Sequence, residues 1–203
     1  MVRLLFIALL VAWAMLVEGC ANDQSSSASP GSIEAFRQEK DAAFRDPRTS
    51  PLSTTELAGF SGLHYFAVDS SYRVMARLEP LPTADTFQMS TTHADDQRMA
   101  LRAGRLVFMV KNVPCTLMAY RFVGQDIPGF FVPFTDATSG MESYGAGRYL
   151  DLQEQSQDVR AYIVDFNTAY NPYCAYNDAY SCPLVPEENH LPVAILAGEK
   201  SWP

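Results

Sequence analysis

The rhythm of apolar and polar positions changes three times along the chain. Leu4–Val17 runs without one charged side chain, and Ala21–Gly31 then carries only small, polar or turn-forming residues. A third pattern starts at Ser32. Ile33, Phe36, Ala43 and Phe44 recur at helical spacing, with Glu34, Arg37, Glu39 and Lys40 elsewhere on the helix surface. Ser32 is placed to cap this helix, and Asp46-Pro47 stops it, because the residue before a proline is pushed out of the helical region.

From Phe60 onward the helical period gives way to short runs rich in Val, Tyr, Phe and Thr, bounded by Gly, Pro, Asn and Asp. The runs are 63–68, 72–78, 86–92, 97–103, 105–111, 115–123, 129–134, 148–152 and 161–166. Asp69-Ser70-Ser71, Ala103-Gly104 and Asn112-Val113-Pro114 predict tight turns between neighbours. A final apolar run, Leu191–Ala197, contains Pro192, which restricts it to a strand start or a sheet edge. Short strands joined by tight turns predict antiparallel pairing. The expected fold is mainly β, an antiparallel β-barrel or β-sandwich with one N-terminal α-helix.

With 48% hydrophobic and 19% charged residues among 203, the chain has the composition of a globular protein and the length for one domain with a sizeable core. A net charge of -8 excludes the clustered Lys and Arg that displace counterions from a phosphate backbone, so nucleic acid is not an expected partner.

The N-terminus reads as an address. Arg3 precedes the apolar run 4–17, which is shorter than the roughly 20 residues needed to span a bilayer core and suits a cleaved leader. It ends in Val17-Glu18-Gly19-Cys20, which resembles the bacterial lipobox; Glu18 occupies a position that usually carries a small or apolar residue. The resemblance implies a signal peptide over 1–19, diacylation of Cys20, a flexible tether over 20–31 and one domain over 32–203, so that the membrane is a partner through the lipid. An ordinary secretory leader with a coincidental cysteine, or an uncleaved anchor, is the alternative. Ala21, rather than Asp, follows the cysteine and favours the outer membrane, facing the periplasm, over the inner one.

Candidate chemistry concentrates in two polar stretches beside predicted strands, 135–151 and 165–182. Gly145 and Gly147 permit positive φ or a close backbone approach, and Arg148 beside them can pair with an anionic ligand or with Asp136 or Asp151. Tyr162, Tyr170, Tyr173, Tyr176 and Tyr180 are either a platform for flat ligands or the packing of a long loop. Cys174 and Cys182 are too far apart for a zinc knuckle and lack the redox Cys-x-x-Cys spacing. In an oxidising compartment they are expected to form a disulfide closing a short loop, which the chain-entropy account values at about 2.5 kcal/mol. The rival reading is a reactive thiolate at Cys174 with Asp165 or His190. Cys115 reads as a buried, inert thiol.

None of His64, His93 and His190 lies in a recognisable nucleophile or metal motif, no cofactor fingerprint is present, and no metal site or catalytic residue is assigned.

Asp41-Ala42-Ala43-Phe44, Phe60-Ser61-Gly62-Leu63 and Tyr65-Phe66 begin a pattern that continues through 134–140, 144–151 and 165–176. Cys182-Pro183-Leu184, Pro186, Asn189 and Ala197-Gly198-Glu199-Lys200 complete it. Together they resemble the DUF1684 family of uncharacterised bacterial and archaeal proteins over about 41–200. His190 stands where the family pattern carries Arg or Lys. The resemblance implies one coherent domain and names no reaction.

Three functions follow from these residues. The first is binding of a small polar or glycan-like ligand by Asp136, Arg148, Tyr149, Asp165, Asn167, Tyr170 and Asn171. The second is an enzyme built around Cys174, Asp165 and Asn167. The third is an envelope interaction protein without a small-molecule site.

Overall fold

The computed structural model describes residues 32–153 and 160–202. The expected leader, Cys20 and the expected tether lie outside the described residues. Helix α1 spans Ile33–Arg45; the Ser32 hydroxyl accepts from the Ala35 amide at 3.1 Å, and Asp46 caps the other end in extended geometry. A second short helix, α2 (Thr54–Gly59), opens on a capping box in which Ser53 and Glu56 satisfy each other's backbone. Phe44 of α1 is buried against Phe60, Tyr173 and Tyr176, so the two helices close a small core of their own over one end of the sheet.

The rest is one antiparallel sheet of seven strands: β1 (Arg73–Glu79), β2 (Asp85–Ser90), β3 (Gln97–Val110), β4 (Val113–Phe122), β5 (Phe130–Phe134), β6 (Arg148–Leu152) and β7 (Ala161–Asp165). The order is β6-β5-β4-β3-β1-β7, with β2 pairing the first half of β3 while β1 pairs its second half. The sheet curls into a half-barrel, so the expected barrel-like antiparallel fold with one main helix is what the chain adopts, and among the described residues no second sheet makes a sandwich.

The runs expected at 97–103 and 105–111 are one strand, not two. Gly104 marks a bulge, where the register against β4 shifts between Arg102 and Gly104. A side chain there would place its Cβ 2.9 Å from the Glu79 carbonyl oxygen, which is why the position is glycine. The extra residue reverses which face each side chain takes. Ala100 packs on Met89, Met118 and Tyr120 on one face, whereas Leu106, Phe108 and Val110 join Leu117 and Ala119 in the main core on the other.

The β3–β4 turn is tight, with Lys111 and Asn112 both at positive φ. The stretch 69–71 is a cap and 3-10 turn rather than a hairpin. The run 63–68 makes only an isolated bridge, from Tyr65 to Glu199. Leu191–Ala197 is not a strand: it crosses the core irregularly, with Leu191, Ile195 and Ala197 fully buried.

Candidate functional site

The curled sheet, α1 and the C-terminal loops line a half-open cavity of about 980 Å³, near the upper end for small-molecule sites. Its walls come from the start of β3 (Arg98), β4 (Tyr120, Phe122), β5 (Phe131), β6 (Tyr149, Asp151), the 170–173 turn, the 180–183 segment, and Phe36 and Lys40 of α1. The aromatic wall is continuous. Phe122 meets Phe131 at 5.2 Å between ring centroids, Phe131 meets Tyr149 edge-on at 4.7 Å, and Tyr149 meets Tyr170 edge-on at 5.8 Å. Reciprocal backbone bonds between Tyr149 and Tyr170, 2.8 and 3.1 Å, fix the last pair.

Polar groups sit at defined points on this wall. The Tyr170 hydroxyl donates to Asp151 Oδ2 at 2.6 Å. Burial of the surroundings pushes the Asp151 carboxyl above the usual range, and the Tyr170 bond opposes that rise. Lys40 lies over the Tyr170 ring at 4.9 Å and pairs with buried Glu199 at 2.6 Å; burial lowers its pKa and Glu199 resists the fall. Glu199 also accepts from the Asn171 amide at 2.9 Å and from the Tyr176 hydroxyl. Asn171 donates through Nδ2 to the Lys200 carbonyl at 2.7 Å, whereas its buried Oδ1 has no hydrogen-bond partner.

Of the seven binding residues expected from sequence, Tyr149, Tyr170 and Asn171 line the cavity. Asp136 and Arg148 are completely buried and bind each other at 2.8 Å. Arg148 also donates to the carbonyls of Ile195, Ala197 and Glu199, and Asp136 accepts from the Thr138 and Ile195 amides. This pair ties the irregular C-terminal run to the sheet. Gly147 just before it has φ +100, and a Cβ there would meet the Phe134 carbonyl oxygen at 2.6 Å.

Asp165 and Asn167 lie elsewhere. Asp165 Oδ1 accepts from the amide and Nδ2 of Asn167, which clamps the backbone of Asp69 in both directions at 2.9 Å. Neither lines the cavity.

Cys174 and Cys182 are neighbours, and both are free thiols, so the expected disulfide is not formed in this structure. The Cys174 amide donates to Cys182 Sγ at 3.2 Å. His190 bonds Thr135 at 3.1 Å and is remote from the cavity lining, leaving the Cys174–His190 reading without a contact. Cys115 is buried in the main core, and that burial raises its pKa. Among the described residues no group of His, Cys, Asp and Glu is arranged to hold a metal.

The residues missed by sequence reasoning are Lys40, Arg98, Tyr120, Phe122 and Phe131. Lys40 falls on the same α1 stripe as Phe36 and Phe44, four residues from each, and that spacing was the available signal for its burial.

The chain matches the model of DUF1684, described as a protein of unknown function, over residues 58–200. No curated protein matches it. It is similar to an uncharacterised protein of Haloarcula marismortui solved by solution NMR. The two are 38% identical and superpose with a TM-score of 0.66, over 83% of this chain and 91% of that one.

Proposed function

The chain belongs to the DUF1684 family, a membership that specifies no reaction, and we propose from the site itself that the domain binds a small polar or glycan-like ligand in the aromatic cavity. One observation carries this reading: Tyr149 and Tyr170 stand edge-on beside a carboxylate, Asp151, and a buried acceptor without a partner, Asn171 Oδ1. Aromatic rings take up the C–H surface of a sugar ring, while the Asp151 carboxylate accepts from its hydroxyls. Tyr149, Asp151, Tyr170 and Asn171 are the binding residues of this proposal. Asp136, Arg148, Asp165 and Asn167 hold the loops that present them.

The lipobox-like leader supports a location at the bacterial envelope. Cys20 carries the lipid, the tether spaces the domain from the bilayer, and the outer membrane facing the periplasm is the favoured site. These assignments rest on the lipobox-like sequence 17–20 and on Ala21. At least two acyl chains give the stable anchoring that one does not.

Calorimetric titration with cellotetraose and chitotetraose tests the ligand class. Binding at micromolar to millimolar strength is expected, weakened tenfold or more by Tyr170→Ala and by Asp151→Asn. Absence of heat with both sugars, or equal affinity in both variants, overturns the proposal.

A further inference from the structure

Cys182 lies at the cavity wall, and Cys174 stands behind it. Both are held rigidly. Cys182 exchanges backbone bonds with β2's neighbour Thr92, its carbonyl accepting at 2.9 Å and its amide donating to Thr92 Oγ1 at 3.1 Å. Cys174 sits in the 3-10 turn that follows Pro172. The sulfur of Cys182 accepts a hydrogen bond from the Cys174 amide at 3.2 Å. Arg98 adds positive charge nearby, fixed by the Ser181 carbonyl at 2.8 Å and Asp96 at 3.4 Å. On the far side the Tyr144 hydroxyl lies 3.9 Å from Cys174 Sγ. The arrangement is asymmetric: Cys182 lines the cavity and its sulfur accepts the Cys174 amide, whereas Cys174 lies off the cavity wall.

We propose that Cys182 and Cys174 are a redox-active dithiol that reduces small disulfides entering the cavity, with Cys182 as nucleophile and Cys174 as resolving thiol. The Cys182 thiolate attacks one sulfur of the incoming disulfide, forming a mixed disulfide and expelling the first small thiolate. That thiolate takes a proton from Cys174. The Cys174 thiolate then attacks Cys182 Sγ, the bond to the bound small thiol breaks, and the second small thiolate leaves to be protonated by water. Two electrons pass from the protein dithiol to the small disulfide, and the protein ends with a Cys174–Cys182 bond. The chemistry follows from thiolate character and access: both thiols are buried, and of the two Cys182 is the one that lines the cavity and accepts the other's backbone amide. The hydrogen bond between the two thiols holds the Cys182 pKa down at about 7 and, together with burial, pushes Cys174 the other way. This site stands independently of what else the cavity holds.

Oxidised glutathione is the probe, applied to the full chain with adducts located by peptide mass mapping. The wild type should form the Cys174–Cys182 bond, with a glutathione adduct at Cys182 only in early samples. Cys174→Ser should retain that adduct, and Cys182→Ser should leave Cys174 unmodified. The wild-type rate should rise with pH around a midpoint near 7, below the roughly 8.5 of an ordinary thiol. The charged or titratable groups facing the pair are Arg98 from β3, Tyr149 from β6 and Tyr144, with Asp96 and Asp178 behind them. Should Cys174→Ser fail to fold, the early wild-type adduct and the pH midpoint decide. A first adduct at Cys174, no reaction of either thiol in the folded chain, or a midpoint at the ordinary thiol value overturns the proposal.

Discussion

Arg148 Nη2 donates to Asp136 Oδ2 at 2.8 Å, with neither side chain exposed to solvent. The guanidinium also gathers the carbonyls of Ile195, Ala197 and Glu199, so one residue neutralises a buried acid and satisfies a segment that has no strand partner. Deleting one member of such a pair leaves a buried charge uncompensated.

Arg148→Ala and Asp136→Ala should each lower stability by about 3–5 kcal/mol. The double substitution should cost clearly less than the sum, because the second removes the charge orphaned by the first. Urea denaturation of the three variants checks this; additive losses would mean that the two side chains act independently.

Asn189 fills a gap in the sheet. The β4–β5 ladder has one paired position, Tyr120 with Phe131. Beside it Asn189 accepts from the Met118 amide at 2.7 Å and donates to the Met118 and Pro133 carbonyls at 2.9 and 2.7 Å. Asn189→Ala should strand these buried backbone groups at about 1–3 kcal/mol each, and faster amide exchange at Met118 should accompany the loss. Unchanged exchange there would contradict the role.

Asp151 should titrate above the ordinary aspartate value of about 3.9, because burial penalises its charge more than the Tyr170 bond favours it. Tyr170→Phe should raise the midpoint further. A carboxyl with a raised folded pKa holds its proton more tightly in the folded chain, so its contribution to stability is present at low pH and lost as pH rises through that value. Carbon-detected NMR titration of the Asp151 carboxyl reads both shifts, and a fall on removing the hydroxyl would reverse the assignment.

The anchor is tested separately. Cys20→Ser should abolish acylation and release the domain from bacterial membranes, as seen by fractionation and by mass spectrometry of the mature N-terminus. A wild-type N-terminus other than acylated Cys20 would refute the lipid tether.

The helix and most strands were legible because each carries its own local signal. Ser32 caps a run with apolar positions at helical spacing, and β4 to β7 are short apolar runs between turn residues. The failures have physical causes. Gly104 resembles a turn residue, yet its lack of a side chain serves a bulge inside one long strand. Leu191–Ala197 is apolar enough for a strand, but Arg148 and Asp136 supply the bonds that a neighbouring strand would have made. In the site, Tyr149, Tyr170 and Asn171 were legible because they crowd into loop-rich stretches. Arg148 and Asp165 carried the same polar signature, and sequence alone does not reveal which polar groups are consumed by partners inside the fold. Arg98 and Phe131 reach the cavity through the curl of the sheet, and Lys40 through the docking of α1 on Glu199 and Tyr170.

The most direct test of the cavity as a ligand site is a titration with chitotetraose and cellotetraose followed by two-dimensional amide NMR on the assigned domain. Saturable shifts are expected at Tyr149, Asp151, Tyr170, Asn171 and Tyr173, and they should vanish in Tyr170→Ala while its remaining spectrum stays folded. Shifts confined to surfaces away from these residues, or no shifts with either sugar, would contradict the account.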